Sequence, residues 1–139
     1  MAVESTLDVQ LIAASKFAMP TDVAWEADEA ATDAEAIVEF AGRACYETWD
    51  KPNPHTRAND AYLRHIIDVG HDALLEHATA TMYIRGLSRA AGNELLRHRH
   101  FSFSQLSQRY VHAGGGEVVV PDAIASDDEL RRLFLNAVD

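Results

Sequence analysis

Residues 97–110 read RHRHFSFSQLSQRY, with three arginines and two histidines in fourteen positions and no carboxylate among them. The chain around this stretch is acidic: its 139 residues carry 22 Asp plus Glu against 12 Lys plus Arg, a formal net charge of −10 with histidine neutral. Residues 85–112 hold five arginines (Arg85, Arg89, Arg97, Arg99 and Arg109) and one acid, Glu94, a local balance of +4 that leaves −14 on the other 111 residues. A phosphate polymer or an anionic membrane surface needs a broad basic face. A compact positive pocket on a negative body suits a small anion instead. Arginine is the fitting residue for that task, because its planar fork binds phosphate bidentately.

Outward from this stretch, periodicity assigns the elements. Residues 7–13 (LDVQLIA) alternate loosely and read as a first strand, followed by a loop over 19–33 with Pro20. A helix is expected over 33–49, with Ile37, Ala41, Ala44 and Cys45 on one face. DKPNPHT (50–56) ends it, since two prolines within three residues cannot continue a helix. A second helix starts near Asn59, presents Leu63, Ile66 and Ile67, and stops at Gly70. Residues 78–85 alternate Ala78, Ala80, Met82 and Ile84 against Thr79, Thr81, Tyr83 and Arg85, the pattern of a half-buried strand. Ser88 is placed to cap a third helix over 89–98, with weak points at Gly92 and Asn93. HAGGGE (112–117) reads as a flexible loop and 118–120 as a short strand closed by Pro121. Ser126 and Glu129 have capping-box spacing for a last helix with Leu130, Leu133, Phe134, Ala137 and Val138 on its apolar face. That helix has no C-cap before Asp139, which sets the expectation of a chain cut short or of a helix that docks on a partner.

The length fits one domain, 1–139, and a hydrophobic content of 47% fits a folded chain rather than a disordered one. No apolar run approaches a membrane span, and MAVESTLDVQ has neither a basic n-region nor an apolar h-region, so a cytoplasmic protein without a membrane partner is expected. Cys45 is the single cysteine; no internal disulfide can form, and its apolar context reads as an inert buried thiol.

If 89–98 is helical, Glu94, Arg97 and His98 are i, i+3 and i+4 neighbours, and the arginines suit the negative end of the helix dipole. Arg97 and Arg99 converge only if the backbone turns extended near His98. In an extended segment Gln105, Ser107 and Arg109 point the same way, with Ser107 and backbone N–H groups as neutral donors. A plainer reading pairs the arginines with surface carboxylates. The histidines (65, 71, 77, 98 and 100) lack HExxH spacing, so no metal site is assigned. Ser102, Ser104 and Ser107 lack a GxSxG elbow, and neither GxGxxG nor a P-loop occurs.

RHRHFSFSQLS resembles the signature of the flavin-dependent thymidylate synthases: Arg-His-Arg, seven residues, Ser. EFAGRACYETWDKPNP (39–54), YLRHIIDVGHDALLEHA (62–78) and SQRY (107–110) are similar to the N-terminal half of that family, in the same order. The resemblance implies an α/β (α+β) fold with a mixed, mostly antiparallel sheet flanked by helices. It implies conversion of dUMP to dTMP with methylenetetrahydrofolate as carbon donor, reduced FAD as hydride donor and NADPH as the reductant of the flavin. It also implies a homotetramer with sites between subunits; independently, the net charge of −10 argues against a nucleic-acid polymer as partner. Carried over by position, Arg97, His98 and Arg99 hold FAD; Glu94, Leu95, Leu96 and Arg97, with Gln105, Leu106, Ser107, Gln108 and Arg109, bind dUMP. Ser107 and Arg109 take the phosphate, Gln105 also contacts flavin, and His71 lies near the flavin. Ala73 stands where relatives usually carry a hydroxyl that touches FAD. The family's chains are considerably longer, and the arginines that grip and ionise the uracil are expected beyond Asp139. A truncated homologue that only binds nucleotide or flavin, or serves as an assembly partner, is the alternative.

Overall fold

The first long helix, α1 (Asp33–Ala44), begins at a reciprocal cap. Thr32 Oγ1 accepts the Glu35 N–H at 3.3 Å, and Glu35 Oε2 accepts the Thr32 N–H at 2.8 Å. The computed structural model describes residues 2–111 and 116–138. The other elements are β1 (Val3–Glu4), β2 (Asp8–Ala14), α2 (Asn59–Asp68), β3 (Ala80–Arg85), α3 (Arg89–Leu95), β4 (Glu117–Val118), α4 (Asp122–Ala125) and α5 (Asp128–Ala137). Short 3-10 helices cover Pro54–Thr56 and Asp72–His77. The chain divides into two compact units, residues 11–82 and residues 1–10 with 83–139, and the division falls within both β2 and β3. No described helix is long and apolar enough to cross a membrane.

In the unit 11–82, α1 packs on α2 and on the 3-10 helix Asp72–His77. Trp25, Ala36, Val38 and Ile66 are buried. Four aromatic rings continue this core: Phe17 to Trp25 at 5.7 Å, Trp25 to Phe40 at 5.5 Å and Phe40 to Trp49 at 5.2 Å between centroids. At such separations edge and tilted ring pairs add to plain burial. The core also contains charge. Glu39 is fully buried and Arg43 nearly so, with Arg43 Nε 2.6 Å from Glu39 Oε1. Asn59 Nδ2 donates to Glu39 Oε2 at 2.8 Å, Lys51 Nζ lies 3.5 Å from Glu39 Oε1, and Arg43 Nη2 donates to the Thr56 carbonyl at 2.8 Å. The Arg43 guanidinium also covers the Tyr62 ring at 4.6 Å. Burial pushes the Tyr62 phenol above its ordinary pKa, and the Arg43 charge pulls the other way. Tyr62 comes so close to α1 that a β-carbon on Gly42 would overlap its hydroxyl.

This network rotates α1 from the expected orientation. The buried face is Ala36, Glu39 and Arg43 with Val38 and Gly42, whereas Ala44 and Cys45 are exposed. Cys45 is therefore not a buried thiol; its Sγ donates to the Ala41 carbonyl at 3.4 Å on the surface. The helix stops at Ala44, five residues before the expected end, and Glu47 then takes a positive φ of 51°. α2 closes as its sequence implies. Gly70 adopts φ 73°, its N–H reaches the Ile67 carbonyl at 3.1 Å, and the His71 N–H reaches Ile66 at 2.8 Å, a Schellman closure. Beyond β2, the Ser15 N–H donates to the Thr79 carbonyl at 2.9 Å.

Two carboxylates of this unit titrate low. The Thr32 N–H and hydroxyl hold Glu35 below its usual 4.5, and the Ala30 and Asn59 N–H groups hold Asp28 below 3.8. A carboxyl depressed in the folded state stabilises above its unfolded pKa, and that stabilisation is lost as pH falls through the folded value. Thermal melts should therefore decline below about pH 4.5, and Glu35→Gln should flatten part of that decline. A melting temperature independent of pH from 5 to 3 contradicts this assignment.

In the other unit β1 and β4 pair in parallel, with Val3 opposite Glu117 and Glu4 opposite Val118. Ion pairs from Arg131 to Glu4 and from Arg85 to Glu117, the latter at 3.4 Å, lie beside this pair. α4 packs on α5 and Val120 is buried. The cap of α5 is Asp127, whose Oδ1 accepts from Glu129 at 2.9 Å and Leu130 at 3.0 Å. The expected box at Ser126 is displaced because Ser126 closes α4. Leu130, Leu133 and Val138 remain about half exposed. The expected loop at 112–117 lies, over 112–115, outside the described residues.

The fold is thus mixed α/β. Its described strands form two two-stranded sheets, β1–β4 and β2–β3. Every residue of β3 is exposed, against the half-buried strand expected. Alternation fixes which residues share a face, but burial needs a second layer to pack on it.

Candidate functional site

Ser88 starts α3 by accepting the Ala91 N–H at 3.1 Å. The helix ends at Leu95, three residues before the expected end, and the chain continues through tight turns: Arg97 N–H to Glu94 O at 3.1 Å, His98 to Leu95 at 3.1 Å and Phe101 to His98 at 3.0 Å. Helix ends commonly tighten in this way. Residues 102–107 have no regular structure. At Ser107 the backbone turns again, its carbonyl accepting Tyr110 at 3.2 Å and Val111 at 3.0 Å. The common direction expected of Gln105, Ser107 and Arg109 thus ends at Ser107, because a turn breaks the period of two.

The geometry gathers most of the sequence-derived residues on one exposed segment. Glu94, Leu95 and Leu96 form the end of α3, and Arg97 returns to Glu94 with Nε 3.3 Å from Oε1, both side chains about three-quarters exposed. Arg99 and Arg109 are exposed and, among the described residues, pair with no carboxylate. Of the three arginines in 97–109, the plainer reading of surface ion pairs therefore covers Arg97. The rings of His98, His100, Phe101 and Phe103 form a chain, with His100 and Phe101 4.0 Å apart and Phe101 and Phe103 6.2 Å apart. The Arg109 guanidinium stands 5.8 Å over the Tyr110 ring. Ser107 is half-buried at the head of its turn, and Gln108 is exposed on it.

Gln105 and Leu106 are held differently. Arg89 Nη1 donates to the Leu106 carbonyl at 3.3 Å, and a β-carbon built on Gly92 would meet Gln105 Nε2 at 3.0 Å. Neither Arg89 nor Gly92 was a candidate from spacing.

His71 and Ala73 belong to the unit 11–82. His71 is exposed, closes α2 and heads the 3-10 helix, with its carbonyl accepting the Leu74 N–H at 3.2 Å; Ala73 is exposed in the first turn of that helix. The same unit has an open cleft of about 620 Å³ lined by Trp25, Trp49, Asp50, Lys51 and Arg57 among others, none of them a sequence candidate. The Glu39–Arg43 pair was legible in principle, since Glu and Arg at i, i+4 on one helix face are neighbours.

The family model described as thymidylate synthase complementing protein matches residues 29–139. A flavin-dependent thymidylate synthase of Corynebacterium diphtheriae is 68% identical over 139 residues, all of this chain and 55% of that protein. Its counterpart in Corynebacterium glutamicum is 66% identical, and that of Mycobacterium marinum 58%, each over all of this chain and 55% of the relative. The chain spans about half the length of the curated relatives it matches. It belongs to the thymidylate synthase complementing protein family, that of the flavin-dependent thymidylate synthases.

Proposed function

We propose that residues 1–139 are the N-terminal part of one flavin-dependent thymidylate synthase domain, with a mixed, mostly antiparallel sheet flanked by helices. The domain acts in the cytoplasm, methylating dUMP to dTMP with methylenetetrahydrofolate as carbon donor and NADPH as reductant. The observation that carries the reading is the exposed run from Arg97 to Arg109, with Arg99 and Arg109 lacking carboxylate partners among the described residues.

The donor set fits FAD. Three exposed guanidiniums can neutralise a pyrophosphate and a nucleotide phosphate, and the ring chain from His98 to Phe103 offers flat surfaces beside them. Bound there, FAD supplies hydride chemistry that no side chain of this chain can perform. Arg97, His98 and Arg99 hold the dinucleotide; Ser107 and Arg109 take the dUMP phosphate; Gln105 contacts both dUMP and the flavin; His71 lies near the flavin. Ala73 offers no hydroxyl, so the loss there is one neutral hydrogen bond, about 0.5–1.5 kcal/mol. The homotetramer of this reading is supported by the exposed apolar faces at Leu130, Leu133 and Val138 and on β2 and β3.

Titration of FAD into the purified chain, followed by flavin fluorescence, tests the cofactor. Saturable binding is expected, and Arg99→Ala should weaken it about 10-fold or more. No saturable binding at millimolar FAD overturns the assignment to this half of the protein.

A further inference from the structure

Gly92 is the one buried residue of α3, at the centre of a seven-residue helix. Glycine weakens a helix interior relative to alanine, so the position needs a reason outside the helix. The reason lies in the neighbouring segment: a β-carbon there would stand 3.0 Å from Gln105 Nε2, tighter than ordinary contact. One turn earlier on the same face, Arg89 donates Nη1 to the carbonyl of the next residue, Leu106, at 3.3 Å. Residues 102–107 have no helix or strand of their own to fix them. Two consecutive residues thus lie against one helix face, Gln105 with its exposed side-chain amide beside Gly92 and Leu106 with its carbonyl bonded to Arg89.

We infer that Arg89 and Gly92 are positioning residues: together they set where Gln105 and Leu106 stand, and so how the Ser107 turn that follows is presented to the nucleotide. Gly92 supplies a bare patch of helix backbone on which the Gln105 amide rests. Arg89 fixes the Leu106–Ser107 peptide through its carbonyl. The consequence for dUMP rests on the function proposed above; the placement of Gln105 and Leu106 does not.

The test uses the 139-residue chain and the variants Gly92→Ala, Arg89→Met and Arg89→Lys. Without ligand, Gly92→Ala should shift the Gln105 side-chain amide resonance, and Arg89→Met the Ser107 backbone amide. Both should weaken dUMP about 3- to 10-fold by calorimetry, and Arg89→Lys, which keeps a donor for the carbonyl, should restore most of the affinity. Alanine is the better helix former, so Gly92→Ala should leave the melting temperature unchanged or raised while affinity falls. A merely structural glycine would not separate the two readings in that direction. If dUMP binds the parent and both variants equally, or if affinity and stability of Gly92→Ala fall together, the inference is overturned while the nucleotide reading stands. If the parent does not bind dUMP, the nucleotide reading fails, and the ligand-free resonances decide the placement: shifts support it, and unmoved resonances overturn it.

Discussion

Glu39→Ala should destabilise the unit 11–82 by about 3–5 kcal/mol, the cost of leaving a buried charge without its partner. The substitution removes the acceptor 2.6 Å from Arg43 Nε, the partner of Asn59 Nδ2 at 2.8 Å and the carboxylate 3.5 Å from Lys51. Arg43 is only 3% exposed, so water cannot readily replace what is lost. Its remaining partners, the Thr56 carbonyl and the Tyr62 ring, do not neutralise its charge. Replacing both members, Glu39→Leu with Arg43→Met, should recover much of the loss, because a buried ion pair exchanged for apolar side chains of similar size is often near neutral. Trp25 and Trp49 lie in the same core and report unfolding by fluorescence in urea. A loss below about 1 kcal/mol for Glu39→Ala would show that the pair is not held as buried charge.

That network explains why the sequence misplaced the face of α1. Hydrophobic periodicity ranks Ile37, Ala41, Ala44 and Cys45 as the apolar stripe, and it counts Glu39 and Arg43 as solvent-facing. A carboxylate and a guanidinium that satisfy each other can occupy core positions, and only their spacing of four hints at it. Local signals fared better. The Gly70 stop and the Ser88 cap were legible because both act within a few residues. The Thr32–Glu35 box is equally local in its spacing, whereas the Ser126–Glu129 spacing points to a cap that Asp127 supplies. In the candidate site, the charge imbalance marked the segment and the Arg-His-Arg motif marked the family. The bend at Ser107 and the rest of Gln105 on Gly92 were not legible, since both depend on where a segment without regular structure lies against a helix.

Arg109→Ala should weaken dUMP binding about 10- to 100-fold, through loss of a charge-assisted contact worth about 1.5–3 kcal/mol. Arg109 is exposed, meets no carboxylate among the described residues, and lies within the turn closed by the Ser107 carbonyl. Its guanidinium thus has no competing ionic partner there, unlike Arg85 and Arg131, which already pair with Glu117 and Glu4. Those two arginines are the controls for a general field. Long-range attraction weakens with salt and falls similarly for any surface charge removed, whereas a direct contact depends on one position.

The most direct measurement is calorimetric titration of the parent chain, Arg109→Ala, Arg85→Ala and Arg131→Ala with dUMP and with deoxyuridine. If residues 97–109 receive phosphates at assigned positions, Arg109→Ala loses most of the dUMP affinity, the two controls lose little, and deoxyuridine binds weakly and alike to all four chains. Equal weakening of dUMP by all three substitutions, or a loss of deoxyuridine affinity as large as that of dUMP, would contradict a phosphate site at Arg109.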